Sequence, residues 1–455
     1  MTLTASGQLS LGDIATEKGG SLSNVSLTTE STTGINTASP SYPDGVTPHA
    51  ISEFYSYDHN ASAGPSYTTL TVDGTNFYTI NSDSFTGNGA QFDMVHATGS
   101  TDNIIYAHRG NSSAFGDIGG FVIDSSGSIQ SVGTPTELAP NAVSLAICEV
   151  SSSGRYIGVI RDGSASGYVR ARLFDYDTST QTVTLQGSLT NIYSTRTNNT
   201  ITDVTRISDS YVLAISNRGG TGFGAHRIII SGTTLTQNNY YNTFNISAGA
   251  STTKFMKTGD TTGFILTQRR TATHNRYIDY VSVTNLTAPT APTYGTRTQL
   301  IDVGGDYVTA TGVQYVGNNY GLVSYSESSV LGGDGKHHVA LVSISGTTLT
   351  FESEITTTTT SANDSIRLAV HDIILMPTVG NLVYFVSKVA AELAIMGTVD
   401  TSSGTLTKID EISTFAPAFF GEGSMINVAV DNSSTNFIIL GDNSNSLIAL
   451  TGSIS

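Results

Sequence analysis

The sequence predicts an all-β protein, a seven-bladed β-propeller preceded by a small, partly helical N-terminal module. Three observations predict this fold: short β-branched apolar runs in place of amphipathic helical spacing, a four-strand unit that recurs along the chain, and a last unit that lacks its outer strand. Each blade of a propeller is one four-stranded sheet, so a repeat of this kind is typical of the class.

The N-terminal part differs from the rest of the chain. Only residues 9–18 (LSLGDIATEK) and 48–55 (PHAISEFY) show helical spacing. Ser10 and Ser52 are the expected N-caps, because a hydroxyl can accept a hydrogen bond from a free amide of the first turn. We therefore expect residues 1–65 to form an N-terminal module and linker, and residues 66–455 to form the propeller.

The repeat consists of an apolar strand, a short turn and a Thr- or Ser-rich strand, as in IIISGTTLT and VSISGTTLT. Two earlier strands precede most of these units, such as SLAICEV followed by YIGVI. The turns align at Gly127, Thr180, Gly232, Asn285, Gly346, Gly404 and Gly452. Four strands in each interval predict seven blades rather than a parallel β-helix, whose coils repeat at about 20 residues, or a string of β-sandwiches.

The two ends of residues 66–455 predict how the ring closes. Residues 424–455 supply three strands and stop near the turn, whereas residues 67–80 supply a strand or hairpin that belongs to no unit. We expect the 67–80 strand to complete the last blade, since a strand added there hides an exposed sheet edge.

Composition restricts the function. Lys and Arg total 20 against 36 Asp and Glu, a net charge of −16, and only 12% of residues are charged. A chain so poor in positive charge is not expected to bind nucleic acid, and no apolar run reaches the roughly 18–20 residues of a membrane span. The single cysteine, Cys148, excludes a disulfide framework. The start, MTLTASGQLSLGD, lacks the pattern of a signal peptide, so we expect synthesis in the cytoplasm of a host cell.

Catalytic and metal motifs are weak. None of the nine histidines lies in a metal-ligand spacing, and the neighbours His337 and His338 point to opposite faces of a strand. The acids lie mostly in turn sequences, where Asp accepts hydrogen bonds from nearby amides; Asp175 and Asp177 are the first alternative to consider for calcium. Cys148 lies in the apolar run SLAICEV and is expected to be buried. The sequence predicts no enzyme, no cofactor and no metal site.

One pattern of charge suggests a binding face. Scarce cations fall just after the second strand of several units: Arg109, Arg161, Arg218, Arg269, Arg270 and Lys388. Others fall just before the third strand: Arg227, Arg276, Lys336 and His337. All loops between second and third strands lie on one rim of a propeller, so these cations are expected to ring one face. Loops often carry charge without function, and the alternative is a face that docks a partner or an anionic glycan. Tyr277, with Tyr106 and Tyr325, is the expected stacking partner for sugar rings.

The N-terminal residues carry a resemblance. LSLGDIATEKGG at 9–20, followed by PHAISEFYSYDH at 48–59, resembles a short N-terminal module of tailed-bacteriophage virion structural proteins of the tail or fibre type. The match covers about 60 of the 455 residues, with Ser56 where glycine is common and a long spacer at 21–47. The resemblance implies attachment to the virion. Too few apolar residues are present here for an independent core, which favours contact with a partner through Leu11, Ile14, Ile51, Phe54 and Tyr55.

Two functions follow as expectations. The first is a phage structural protein that is bound to the particle through residues 1–60, present in several copies or as a homo-oligomer, and displays its propeller for contact with a host-surface glycan or protein. The second is a purely architectural tail or capsid ornament. A secreted lectin or hydrolase is a weaker alternative.

Overall fold

A computed structural model gives the architecture of the protein. The chain divides into two compact units, Met1–Tyr67 and Thr68–Ser455. The structure describes residues 10–18, 26–28, 54, 68–72, 78–81, 92–98, 100, 102–109, 115–123, 128–151, 153–163, 168–193, 200–217, 223–242, 253–270, 276–288, 290–303, 312–327, 336–358, 370–376, 381–388, 391–412, 427–430, 435–442 and 447–455.

The described residues of the first unit include the helix α1 (Leu11–Glu17). It begins at Ser10, the predicted N-cap: the Asp13 amide donates to Ser10 Oγ at 3.2 Å, and the Ser10 amide donates to Asp13 Oδ2 at 2.8 Å. This reciprocal capping box satisfies two free amide donors of the first turn. The helix predicted at 48–55, with its cap Ser52, lies outside the described residues except for Phe54.

The second unit consists of strands. Two short strands open it, β1 (Leu70–Val72) and β2 (Tyr78–Asn81). Blade 1 contains β3 (Phe92–His96), β4 (Asn103–Arg109), β5 (Gly116–Ile123), β6 (Ile129–Val132) and β7 (Thr136–Ala139). Blade 2 contains β8 (Ala142–Ser151), β9 (Arg155–Asp162), β10 (Val169–Asp177) and β11 (Thr182–Tyr193). Blade 3 contains β12 (Thr200–Ser208), β13 (Tyr211–Asn217), β14 (Phe223–Ser231) and β15 (Thr234–Asn242).

The remaining blades follow in chain order. Blade 4 contains β16 (Lys254–Lys257), β17 (Gly263–Arg270), β18 (Arg276–Thr284), β19 (Thr293–Tyr294) and β20 (Thr298–Val303). Blade 5 contains β21 (Val313–Gly317), β22 (Tyr320–Ser326), β23 (His337–Ser345) and β24 (Thr348–Thr356). Blade 6 contains β25 (Val370–Leu375), β26 (Asn381–Lys388), β27 (Ala391–Asp400) and β28 (Thr405–Ile412). Blade 7 contains β29 (Asn427–Val430), β30 (Asn436–Asp442) and β31 (Leu447–Ile454), with β1 and β2.

Every blade is an antiparallel sheet in which the first three strands pair in sequence order and the outer strand pairs with the third; in blades 1, 4 and 7 two short strands share the outer position. The first strands form the centre: β3, β8, β12, β16, β21, β25 and β29 each contact the next, and β29 returns to β3. Apolar side chains fill the spaces between blades, as where Ile438 and Leu440 of blade 7 pack with Ile104 and Phe121 of blade 1. The predicted seven-bladed β-propeller is confirmed.

The turns between third and fourth strands explain much of the repeat. Gly232, Gly346, Gly404 and Asn285 have positive φ angles of 60–67°, a conformation that glycine and asparagine adopt most readily. In blade 2 this conformation falls on Gln181 rather than on the aligned Thr180.

The prediction that Gly452 lies in a turn is wrong, because this residue lies within β31, where it pairs with Phe437 and Val72. A Cβ atom there would lie 2.3 Å from the Phe437 ring, so close packing rather than turn geometry requires this glycine.

Blade 7 receives its outer strand from the start of the unit. In β1, Leu70 pairs with Ile454, and in β2, Tyr78 pairs with Ala449, so both strands lie against β31. The Leu70 amide also donates to Asp410 Oδ2 of blade 6 at 2.8 Å. The N- and C-terminal parts of the ring are therefore joined by main-chain pairing. Among the described residues, no helix is long and apolar enough to cross a membrane.

Candidate functional site

The second strands all end at one rim of the propeller, which we call the 2–3 rim: the ends of the second strands and the starts of the third strands. Arg109 ends β4, Arg161 is next to the last residue of β9, and Lys388 ends β26. Arg269 and Arg270 end β17. For these two and Lys388 the structure describes the backbone only, and Arg218 lies outside the described residues.

Blades 1 and 2 bring cations together at the 2–3 rim. Burial and the positive charge of nearby Arg109 both lower the pKa of Arg161. Arg170, at the start of β10, is ion-paired with the buried Asp162 at 2.9 Å. Among the described residues, Nε of Arg161 and Nε of Arg170 are buried without a hydrogen-bond partner. We call Arg109 and Arg161 the arginine cluster. Sequence reasoning missed Arg170, which lies opposite Ile160 of β9.

The three tyrosines that were predicted to stack on sugar rings lie in different environments. Tyr277 is half-buried at the 2–3 rim and is the cross-strand partner of Arg269. The prediction that Tyr106 and Tyr325 stack on sugar rings is wrong, because these side chains are buried between blades, with 0% and 3% exposure. The sequence reasoning missed Tyr168, which lies just before β10 with its ring centroid 6.0 Å from the Arg170 guanidinium.

The cations predicted before the third strands also need correction. Arg227 is 0% exposed, and His337 is buried beside Ser326, so neither belongs to an accessible face. Lys336 is half-buried at the 2–3 rim, and only the backbone of Arg276 is described. The alternation of side chains along a strand did not predict this burial, because both faces of a propeller blade pack against neighbouring blades.

The residues predicted for attachment have different environments. Ile14 and Phe54 are 0% exposed, so both are core residues of the chain as it stands rather than exposed contacts. Leu11 is half-buried, and Ile51 and Tyr55 lie outside the described residues.

Charged side chains also occur on the first strands, at the centre of the ring. Asp93 Oδ2 accepts from the Ile147 amide at 2.8 Å, and Asp203 Oδ2 accepts from the Phe255 amide at 2.7 Å, so each carboxylate links its blade to the next. Burial disfavours the charged form of Lys254. The attraction of Asp203, Asp93 and Asp372 outweighs this effect, so the pKa of Lys254 is raised. We call these three acids and Lys254 the inner-ring cluster.

The inner-ring cluster predicts a pH dependence. Burial raises the pKa of Asp93 to about 6 from 3.8, against the opposing effects of Lys254 and the amide donors. The folded state then holds this proton more tightly than the unfolded state, so the contribution of Asp93 to stability is full below about pH 4 and is lost as pH rises through about 6. Melting temperatures measured from pH 4 to 8 should show this decline, and Asp93→Asn should flatten it. The matched control is Asp177→Asn, whose exposed carboxylate has a lowered pKa; an unchanged profile in Asp93→Asn contradicts the assignment.

Serine–histidine pairs are present but inaccessible. Ser216 Oγ lies 2.9 Å from His226 Nε2, and Ser326 Oγ lies 2.5 Å from His337 Nδ1. All four side chains are at most 1% exposed. A substrate therefore has no access to either hydroxyl in this conformation. These pairs join neighbouring strands, which is why no local motif indicated them.

Two of the acids in turn sequences, Asp177 and Asp400, accept amide hydrogen bonds as predicted, whereas Asp175 lies within β10. Asp177 Oδ1 accepts from the Ser179 amide at 2.8 Å, and Asp400 Oδ1 accepts from the Ser402 amide at 2.8 Å. Asp175 is ion-paired with Arg155 at 2.8 Å. Within the described part of the chain, no group of His, Cys, Asp or Glu is arranged to hold a metal ion. Cys148 is buried, and burial raises the pKa of its thiol.

Comparison with known proteins supports the fold. No protein-family model and no curated protein matches the chain. A hypothetical selenium-binding protein from Sulfolobus tokodaii is similar with a TM-score of 0.50 and 9% identity, over 75% of this chain and 86% of that one. The β-propeller domain of Nup133 from Vanderwaltozyma polyspora has a TM-score of 0.46 and 12% identity, over 79% and 93%. An α-L-arabinanase from Penicillium chrysogenum has a TM-score of 0.41 and 10% identity, over 85% and 98%. The strand pairing within the seven blades identifies the β-propeller, and these likenesses concern the fold alone.

Proposed function

We propose that the protein is a non-enzymatic structural protein of a tailed-bacteriophage particle. Residues 1–60 hold it on the particle through other virion proteins, and its propeller presents the 2–3 rim to an anionic ligand on the host surface. The observation that carries the binding role is the Nε of Arg161, which is buried near the charge of Arg109 and has no hydrogen-bond partner among the described residues.

The chemistry of the arginine cluster favours an acidic glycan. A buried guanidinium N–H without an acceptor is costly, and a ligand oxygen removes that cost. Arginine presents a planar fork that fits carboxylates and phosphates. Tyr168 and the half-buried Tyr277 offer rings with an apolar body and a polar tip, which suit sugars. A surface polymer that carries both acid groups and sugar rings matches these features.

Two observations support placement on a particle. Residues 9–20 and 48–59 resemble the phage module, and the chain separates into compact units at Tyr67, next to the Asn-Ala-Ser-Ala-Gly-Pro segment at 60–65. A polar segment of small residues suits a linker between an anchor and a displayed domain.

Display fits the surface better than the alternative of a purely architectural ornament. Among the described residues, the exposed large hydrophobic side chains are Val132, Phe351 and Ile409, on the outer strands of blades 1, 5 and 6. Apolar side chains scattered in this way are ordinary, whereas a packing face should carry a contiguous patch. The buried serine–histidine pairs support a role without catalysis.

We expect Arg161→Gln to weaken binding to immobilised polygalacturonate about tenfold, the loss of one charge-assisted hydrogen bond. Surface plasmon resonance of the full chain measures this effect. Methyl-esterified polygalacturonate has the same rings without the charge and should bind the wild-type protein poorly.

The matched control for this experiment is Arg172→Gln. It removes the same charge from β10, where the Arg172 guanidinium donates to the Gly187 carbonyl at 3.2 Å, and should leave binding unchanged. Equal binding of both polymers, or equal losses in the two variants, contradicts a specific anion site at the arginine cluster.

A further inference from the structure

A groove of about 550 Å³ lies between blades 3 and 4 on the rim opposite the 2–3 rim. One wall is the turn from β12 to β13, and the other comes from the turns after β16 and β18. The lining residues are Arg206, Ile207, Ser208, Asp209, Ser210, Lys257, Asp260 and Thr287. Its volume lies in the range of small-molecule sites, but nearly all its lining side chains are polar or charged.

Arg227 lies beside both walls of this groove. Its guanidinium is 4.9 Å from the centroid of the Tyr211 ring, and Tyr211 directly follows Ser210 of the first wall. Its Nη1 donates to the carbonyl oxygens of Leu286 at 3.2 Å and Ala288 at 2.7 Å, the residues on either side of Thr287. Arg227 therefore bridges the two walls from within the protein.

The charge of Arg227 is not compensated in the described structure. The side chain is 0% exposed, and its Nε and Nη2 have no hydrogen-bond partner among the described residues. A buried guanidinium that contacts only carbonyls and a ring has no counter-ion, and burying such a charge is costly. An anion held at the groove reduces that cost.

The other two cations at the groove differ in how well they are paired. Arg206 is satisfied, because it forms ion pairs with Glu149 at 2.9 Å and with Asp209 at 2.5 Å. Lys257 donates to the Ile207 carbonyl at 2.8 Å, and its acid partner Asp260 is 3.8 Å away with a side chain that is 96% exposed. The side of the groove formed by blade 4 is thus the one that attracts an anion.

We propose that this groove binds a sugar that carries a carboxylate. The carboxylate is attracted by Lys257 and by the charge of Arg227, and the hydroxyl groups of Ser208, Ser210 and Thr287 exchange hydrogen bonds with the sugar hydroxyls. The site is separate from the arginine cluster and does not depend on the proposed role in a virion.

Methyl glucuronide and methyl glucoside test this proposal, because the two probes differ at one carbon that carries either a carboxylate or a hydroxymethyl group. Isothermal titration of the full-length protein should show glucuronide binding about tenfold tighter than glucoside, the effect of one charge-assisted contact. Thr287→Trp should abolish binding by filling the groove. Lys257→Gln should reduce glucuronide binding to the level of glucoside.

The matched control is Thr347→Trp, which places the same ring on the exposed turn between β23 and β24 of blade 5 and should bind as the wild type does. Thermal melts confirm that each variant is folded. The proposal is overturned if the wild-type protein does not prefer glucuronide, or if folded Thr287→Trp binds it normally.

Discussion

Removing residues 68–81 should abolish the stable propeller. These residues contain β1 and β2, which are the outer strand of blade 7, and their loss exposes the edge of β31 to pairing with other molecules. The deletion also removes the buried side chains of Leu70 and Ile80, which are 4% and 5% exposed. Losing a large aliphatic side chain from a core typically costs about 2–5 kcal/mol, and two such losses together with the lost main-chain pairing approach the whole stability of a domain. We expect aggregation or loss of the cooperative melting transition, measured by calorimetry and light scattering.

Two point variants separate this effect from a general sensitivity of the segment. Ile80→Asp places a charge in the apolar cluster shared by blades 7 and 1, where Ile80 packs with Met94 and Ile104, and should destabilise almost as strongly. Thr71→Asp is the matched control because Thr71 is exposed on β1. A deleted protein that keeps the wild-type melting temperature and solubility rules out closure of the ring by these strands.

Removing residues 1–60 should eliminate the protein from purified phage particles while the propeller still folds. Residues 68–455 form their own compact unit with internal closure, so the melting temperature of the propeller should change little. Mass spectrometry of purified particles measures incorporation. Full-length Arg161→Gln is the control and should be incorporated normally, because its change lies on the displayed rim. Normal incorporation of the shortened chain would move attachment to the propeller.

The burial of Phe54 changes how its substitution is interpreted. Because Phe54 is 0% exposed in the single chain, Phe54→Ala should first weaken the packing around this side chain, and any loss of incorporation would follow from that. Sequence reasoning treated it as an exposed anchor, since a short segment with few apolar residues is not expected to bury any of them completely.

The fold was predictable because the repeat has a physical origin. In blades 3 to 6 the third strand ends in a turn with a positive φ, so glycine or asparagine recurs there, as at Gly232, Gly346 and Asn285. The unassigned strand near residue 70 and the incomplete last unit indicated how the ring closes, because every strand needs a partner. The bounds of single strands follow from these turns.

The sites were less predictable because they depend on packing between blades. The sequence indicated Arg161 from its place at the end of a second strand. Its nearness to Arg109 could not be predicted, because the two residues belong to different blades and are separated by about 50 residues of chain. Arg227 has a similar sequence context and yet is fully buried, with its hydrogen bonds directed to blade 4. Charge and spacing alone did not distinguish these two arginines, since the neighbouring blade decides which of them stays accessible.

A three-dimensional reconstruction of the purified phage particle tests the central claim most directly. It should show a seven-bladed disc joined to the particle by density for residues 1–60, with the 2–3 rim directed away from the particle toward solvent. A particle without this disc, or a disc whose 2–3 rim is covered by neighbouring virion proteins, would contradict the account.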